Sequence, residues 1–209
     1  MSSRLKVILI VFFILLADQT LKILVKTNMY LGQNIPVIGH WFNLYFIENN
    51  GMAFGMEWGG QTGKILLTTF RLIAVGALGY FIHVMIKKEA PAGFILALAV
   101  ITAGAAGNII DSAFYGLIFN DSYLQNPLTQ GSGIAQLFPP GGGYGHFLQG
   151  KVVDMLYFPV IKGTYPHWFP LKGGQSFLFF RPIFNLADSA ITIGVAWILL
   201  FHRKFLRGL

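Results

Sequence analysis

Four stretches of this chain are apolar for long enough to cross a bilayer: about Val7 to Val25, Ile65 to Ile86, Ala92 to Ile110 and Ile183 to His202. Crossing the roughly 30 Å hydrocarbon layer takes about 20 helical residues. The two long intervals between them run from about Thr27 to Lys64 and from about Ser112 to Arg181. The first contains WFNLYFIENNGMAF, aromatic and β-branched around an Asn-Asn-Gly turn, which predicts short strands. Trp41, Tyr45 and Trp58 suit a small sheet lying at the lipid headgroups. The second holds PPGGGYG at residues 139–145. It lacks the Lys-Ser/Thr ending of a phosphate loop and follows no strand, so a flexible loop is expected. Arg4 and Lys6 precede the first apolar run as they would in a signal peptide. No small-x-small cleavage site follows, however, and Asp18 and Lys22 interrupt its place, so an uncleaved helix is expected. The pattern predicts an all-α membrane protein forming a single integral membrane domain over residues 1–209. It has four transmembrane helices, a small extracytoplasmic β-sheet between helices 1 and 2, and an extracytoplasmic excursion between helices 3 and 4.

Composition strengthens this reading. Of 209 residues, 55% are hydrophobic and 11% charged, and the mean hydropathy is +0.62. A soluble domain carries about 25% charged residues. A soluble globule, a disordered chain and an ordinary nucleic-acid binder are excluded. The net charge of +7 is a topology signal instead. Arg4, Lys6, Lys87, Lys88, Arg203, Lys204 and Arg207 crowd three short flanking segments, while Lys26, Lys64, Lys151, Lys162, Lys172 and Arg181 are spread over the long intervals. Both termini are therefore expected in the cytoplasm. The absence of cysteine excludes thiol nucleophiles, disulfides and thiolate metal ligation.

Ionisable groups within a span are costly and call for a reason. Asp18 and Lys22 stand four apart, acid first, the favourable helical order, and read as a structural ion pair. Arg71 lies toward the outer end of span two, placed to snorkel. Span three ends Asn108-Ile109-Ile110-Asp111-Ser112-Ala113 and span four begins Asn185-Leu186-Ala187-Asp188-Ser189-Ala190. This Asn-x-x-Asp-Ser-Ala echo puts each Asn and Asp on one helix face, both at extracytoplasmic ends. Asp188 sits about five residues inside its span, roughly 7 Å down at 1.5 Å per residue. Asp154, in Val152-Val153-Asp154-Met155-Leu156-Tyr157-Phe158, is a third acid with apolar sequence neighbours on the same side.

Converging carboxylates without cysteine fit an aspartic protease pair, in which two close acids share a proton. A metal site is less suited, because His40, His83, His146, His167 and His202 are scattered. A serine-lysine hydrolase built on Ser112 or Ser189 lacks a lysine on the outer ends of spans three and four. On the residues alone, the echo nominates Asp111 with Asp188. A small ion- or proton-coupled transporter using the intramembrane acids is the alternative of another class. Transporters place such groups near the midplane, whereas these acids gather at one end.

The chain resembles the lipoprotein signal peptidases, the type II signal peptidases of bacteria. The resemblance rests on Asp18-Gln19-x-x-Lys22, Asn49-x-Gly51-x-Ala53-Phe54, Gly107-Asn108-x-x-Asp111, Val152-Val153-Asp154 and Phe184-Asn185-x-Ala187-Asp188-Ser189-Ala190, in family order over nearly the whole chain. It implies a four-helix aspartic endopeptidase of the bacterial inner membrane, both termini cytoplasmic and the active site near the extracytoplasmic face. Such an enzyme needs no cofactor or metal. Its substrate is a diacylglyceryl-modified prolipoprotein, cut before the lipidated cysteine; membrane lipid is its other partner, nucleic acid is not one, and a monomer is expected. The resemblance makes Asp154 and Asp188 the catalytic pair. It leaves Asn49, Asn108, Asp111 and Asn185 to bind substrate or support the dyad. Two departures stand out: Ser112 occupies the place of an arginine usual in the family, and the intervals from Ala113 to Gly150 and from Tyr157 to Arg181 are longer than usual.

Overall fold

The computed structural model describes residues 2–39, 41–50, 60–125, 133–159, 161–170, 172–180 and 182–208. His40, Gly51, Ala53, Phe54, Trp58 and Arg181, all used in the sequence reading, lie outside them.

The long elements are helices. Helix α1 (Ser3–Asn28) begins at Ser2, whose hydroxyl accepts the Leu5 N–H at 3.3 Å. Helix α2 (Gly60–Lys87) turns through Glu89 and Pro91 into α3 (Ala92–Ile110). A π-helical turn (Asp111–Tyr115) and the short α4 (Gly116–Ile118) prolong α3. Among the described residues, α1, α2 and α3 with its continuation are long and apolar enough to cross a membrane. The fourth expected span is shorter than its apolar run. Residues Ile183–Phe184 are a strand, and α5 (Leu186–Phe201, 16 residues) begins only after Asn185. Asn185 caps the helix through its side chain, which stops helix from extending backwards over the two apolar residues before it. The short α6 (Arg203–Leu206) follows.

Small residues let these helices approach closely, as membrane helix packing requires. A Cβ on Gly194 of α5 would stand 2.6 Å from Ile101 Cγ1 of α3, and one on Gly107 of α3 would stand 2.7 Å from Asp18 Oδ2 of α1. At the end that carries the termini, Ile82, Met85, Phe94, Leu98 and Ile198 form one core. Outward, Phe13, Leu66, Phe70, Ile73, Ile193 and Leu200 are exposed, a belt suited to lipid.

The sheet differs from expectation. Strands β1 (Asn34–Ile38) and β2 (Phe42–Asn49) do lie between α1 and α2, but β3 (Val152–Tyr157) and β6 (Ile183–Phe184) join them in the antiparallel order β1-β2-β3-β6. β3 therefore comes from the second interval and β6 from the start of the expected fourth span. A lone two-stranded hairpin is marginal in stability, and β3 supplies the third strand. Its register sets Asn49 opposite Val152 and Ile47 opposite Asp154. A core of Val25, Met29, Phe46, Tyr115, Phe119, Val153 and Met155 seats the sheet on α1 and the π-turn. A separate hairpin, β4 (Ile161–Thr164) and β5 (Ser176–Phe180), lies between β3 and β6 in the chain.

The Pro/Gly stretch is not a loose loop. Tyr144 N–H donates to Phe119 O at 2.9 Å, Gly145 N–H donates to Gly116 O at 2.8 Å, and Tyr144 Oη accepts the Lys151 N–H at 2.6 Å. Glycine allows the backbone to lie this close to α4, so the stretch is fastened at residues 144 and 145.

Candidate active site

The centre of the site is Asn185, a fully buried side chain at the N-cap of α5. Its Oδ1 accepts the Asp188 N–H at 2.9 Å and its own N–H donates to Asp188 Oδ2 at 3.3 Å, a reciprocal capping box. The same Asn185 Nδ2 donates to Asp154 Oδ1 at 2.7 Å and Asn108 Oδ1 at 3.0 Å, and lies 3.3 Å from Val153 O. One asparagine thus touches both Asp154 on β3 and Asp188 on α5. Asn49, at the end of β2, donates to Asp154 Oδ2. Asn108 Nδ2 donates to Asp188 Oδ1 at 2.7 Å. The Asp154 carboxylate is thereby clamped by two amide side chains from different elements, and that of Asp188 by the Asn108 amide and the Asn185 backbone N–H.

The two acids differ in environment. Asp154 is 4% exposed, whereas Asp188 is half-buried. Burial first, and the neighbouring Asp188 charge second, push the Asp154 carboxyl up to about 7, against the pull of Lys22 and the hydrogen bonds from Asn185 and Asn49. A group poised near neutrality beside a second acid can exchange a proton at physiological pH.

Beneath the two acids lies a charged hub. Lys22 Nζ stands 2.9 Å from Asp18 Oδ2, 2.8 Å from Asp111 Oδ2 and 2.9 Å from Asn108 Oδ1. All three charged side chains are at most 1% exposed. Asp18 and Lys22 therefore do form an ion pair, but it is shared with Asp111 rather than self-contained. Asp18 Oδ1 also accepts the Ala187 N–H at 2.9 Å, at the start of α5. Asp111 Oδ2 accepts the Val153 N–H at 3.3 Å, next to Asp154. The echoed serines behave alike: Ser112 and Ser189 hydroxyls each donate at 3.0 Å to the carbonyl of the asparagine four residues before.

Gln19 stands in the first motif, yet its part was not read from sequence. Its Nε2 donates to Asp111 Oδ1 at 2.9 Å and Asp18 Oδ2 at 3.1 Å, and its Oε1 accepts from Tyr115 Oη at 3.1 Å. Lys26 was missed too. Buried, it pairs with Glu48 of β2 and donates to Ser122 Oγ at 2.9 Å. Lys151 extends this second cluster to Asp121 at 2.9 Å. The signal was available, since Asp18, Lys22 and Lys26 follow a four-residue spacing in an apolar helix. Among the described residues, no His, Asp and Glu side chains gather in a group that could hold a metal ion.

The family model described as "Signal peptidase (SPase) II" matches residues 10–204. A lipoprotein signal peptidase of Porphyromonas gingivalis is 47% identical over 196 residues, covering 93% of this chain and 81% of that protein. One of Amoebophilus asiaticus is 36% identical over 189 residues, 89% of this chain and 72% of that protein. Among solved structures, a bacterial membrane enzyme determined by the in meso method at 2.3 Å resolution is 26% identical. It superposes with a TM-score of 0.56, covering 95% of this chain and 87% of that one.

Proposed function

Because the chain belongs to the signal peptidase II family, whose members remove signal peptides from lipoproteins, we propose that it does so as an aspartic endopeptidase with Asp154 and Asp188 as the catalytic pair. The observation that carries this reading is Asn185, which donates to both carboxyl groups, from its side-chain Nδ2 to buried Asp154 and from its backbone N–H to half-buried Asp188. A water between them would lose its proton to ionised Asp188 as its oxygen attacks the scissile carbonyl. Protonated Asp154 would donate to the carbonyl oxygen. The proton held on Asp188 then passes to the leaving amine as the tetrahedral intermediate collapses, and Asp154 takes back the proton from the re-forming carbonyl oxygen, which restores the pair. Asn108 and Asn185 hold Asp188, while Asn49 and Asn185 hold Asp154.

The substrate we assign is a diacylglyceryl-modified prolipoprotein, cut before its lipidated cysteine, with the acyl chains lying in surrounding lipid. The chain is a multi-pass bacterial membrane protein. In the proposed topology it forms one membrane domain, and α5 is the fourth span, both termini in the cytoplasm. Sixteen residues of α5 reach about 24 Å at 1.5 Å per residue, a shortfall a bilayer accommodates by local thinning. The site would then lie at the extracytoplasmic ends of α3 and α5 in the inner membrane.

Cleavage of a diacylglyceryl-modified prolipoprotein by purified protein tests the reading. Asp154→Asn and Asp188→Asn should each abolish cleavage with folding intact, since an amide cannot cycle between acid and base. The double variant should be scarcely worse than either single, because residues acting as a unit are non-additive. Full activity in folded Asp154→Asn protein, with loss in Asp111→Asn and Asp188→Asn, would transfer the role to Asp111.

A further inference from the structure

The β4–β5 hairpin lies outside the candidate site but grows out of the strands that build it. Tyr157 pairs with Ile183, Phe158 N–H donates to Pro182 O at 3.1 Å, and Ile161 pairs with Phe180. Its root therefore stands close to Asn185, where α5 begins. In the proposed topology that is a membrane surface. Rings gather at this root: Phe158 stacks 4.9 Å from Phe42 and 5.6 Å from Phe184, with Trp41 at 6.0 Å.

The tip is closed by its own backbone. Tyr165 N–H donates to Gln175 O at 2.9 Å, and Gly174 N–H donates back to Tyr165 O at 3.0 Å. Two turns lie within, Phe169 N–H donating to Pro166 O at 2.9 Å and Gln175 N–H to Lys172 O at 3.0 Å. Gly174 holds φ +76°, and a Cβ on Gly173 would stand 2.3 Å from His167 O, so both positions require glycine. The Tyr165 and Phe169 rings stack at 4.9 Å, and Lys172 Nζ lies 6.0 Å over the Tyr165 ring. These contacts order the tip without burying it. Among the described residues from 156 to 184 none is buried, and 166–170 and 172–176 are all exposed. Trp168 is 80% exposed. A large apolar ring held outward by an ordered loop calls for a partner outside the chain.

Charge selects that partner. From 155 to 187 the chain has no Asp or Glu, while Lys162, Lys172 and Arg181 are basic. Tryptophan and tyrosine are favoured at headgroup depth, and a lysine beside them can lay its stem on apolar surface and extend its ammonium to a phosphate. No carboxylate in this stretch repels an anionic headgroup. We propose that the β4–β5 hairpin is a membrane-surface anchor, whose tip seats Trp168 among the headgroups of the surrounding bilayer while Lys172 engages anionic phospholipid. The inference rests on α5 entering the bilayer near Asn185 and is independent of which acids form the dyad.

The test uses the full chain in vesicles of phosphatidylcholine alone or mixed equally with phosphatidylglycerol, the acyl chains brominated near the headgroup. The Trp168 signal is the difference between each protein and its Trp168→Phe counterpart. Trp197 of α5, read in the same way through Trp197→Phe with bromine deep in the chains, reports whether α5 lies in the bilayer. In mixed vesicles lipid bromine should quench Trp168 strongly and aqueous acrylamide only weakly. Lys172→Gln should lower the ratio of lipid-quenched to acrylamide-quenched Trp168 about five-fold there, and leave it unchanged in phosphatidylcholine alone. With Trp197 quenched by lipid, a Trp168 reached by acrylamide alone, as in a tip kept in water for a protein partner, would overturn the proposal. An unchanged ratio in Lys172→Gln would overturn it as well, since headgroup charge would then play no part. Unquenched Trp197 would take α5 out of the bilayer, and the inference with it.

Discussion

Replacing Lys22 by methionine should be among the most destabilising single changes in this protein. The ammonium neutralises two carboxylates, Asp18 at 2.9 Å and Asp111 at 2.8 Å, and also donates to Asn108 at 2.9 Å. Removing one partner of a buried ion pair typically costs about 3–5 kcal/mol, because the remaining charge stays buried without compensation. Here two acids are stranded, so the upper end of that range is expected, a large share of a total stability of about 5–15 kcal/mol. Neutralising the acids one at a time should relieve this stepwise. Asp18→Asn alone keeps an acceptor for the Ala187 N–H and leaves Lys22 paired with Asp111. Its expected loss is only about 1.5–3 kcal/mol, that of a hydrogen bond to a charged group. Combining Asp18→Asn with Lys22→Met, which would suffice for a self-contained pair, still leaves Asp111 fully buried and unpaired. Only Asp18→Asn, Lys22→Met and Asp111→Asn together should restore stability to within about 2 kcal/mol of wild type. Denaturant unfolding in mixed micelles, followed by tryptophan fluorescence, measures the series. A double variant as stable as the triple would refute a hub shared by three groups, and a Lys22→Met variant within about 1 kcal/mol of wild type would refute the cost assigned to it.

Gly107→Ala should lower the melting temperature and cut cleavage several-fold, because its methyl would sit 2.7 Å from Asp18 Oδ2 and 3.2 Å from Ala187 Cβ; Gly79→Ala, with nothing within 4 Å of its Cβ, serves as the neutral comparison. The raised Asp154 carboxyl makes the folded protein bind a proton more tightly than the unfolded chain. Stability from this group is therefore present below its ordinary value of 3.8 and lost as pH rises through about 7. Asp154→Asn should reduce that slope in thermal unfolding, and a slope unchanged in the variant would remove Asp154 as a source of it. Cleavage should likewise decline above about pH 7 as the acid of the pair ionises. For topology, a membrane-impermeant thiol reagent applied to spheroplasts should label Phe138→Cys, whose native side chain is 72% exposed, and spare Lys88→Cys; labelling at position 88 would reverse the orientation.

Much of this molecule is legible in sequence because lipid is an undemanding reader. A helix in hydrocarbon needs length and apolarity, so α1, α2 and α3 stand out as runs without any knowledge of their neighbours. The cost of charge in that medium makes Asp18, Lys22, Arg71 and Asp188 conspicuous in the same way. What sequence could not decide is what each charge meets. Lys22 has a local partner four residues away, and its second carboxylate is 89 positions along the chain at Asp111. The Asn-x-x-Asp echo draws Asp111 and Asp188 together on paper. In the fold, Asp111 faces Lys22 and the β3 backbone, while Asp154 meets Asp188 around Asn185. That arrangement exists because β3, from a Pro/Gly-rich excursion, adds to a hairpin formed more than a hundred residues earlier. Strand pairing across such a distance leaves no periodicity in either segment. The late start of α5 has the same origin: Ile183 and Phe184 are apolar enough for a helix, and only pairing with Tyr157 and Leu156 makes them a strand. Local hydropathy determines which segments enter the bilayer, and long-range hydrogen bonds among buried polar groups determine which of their acids face one another.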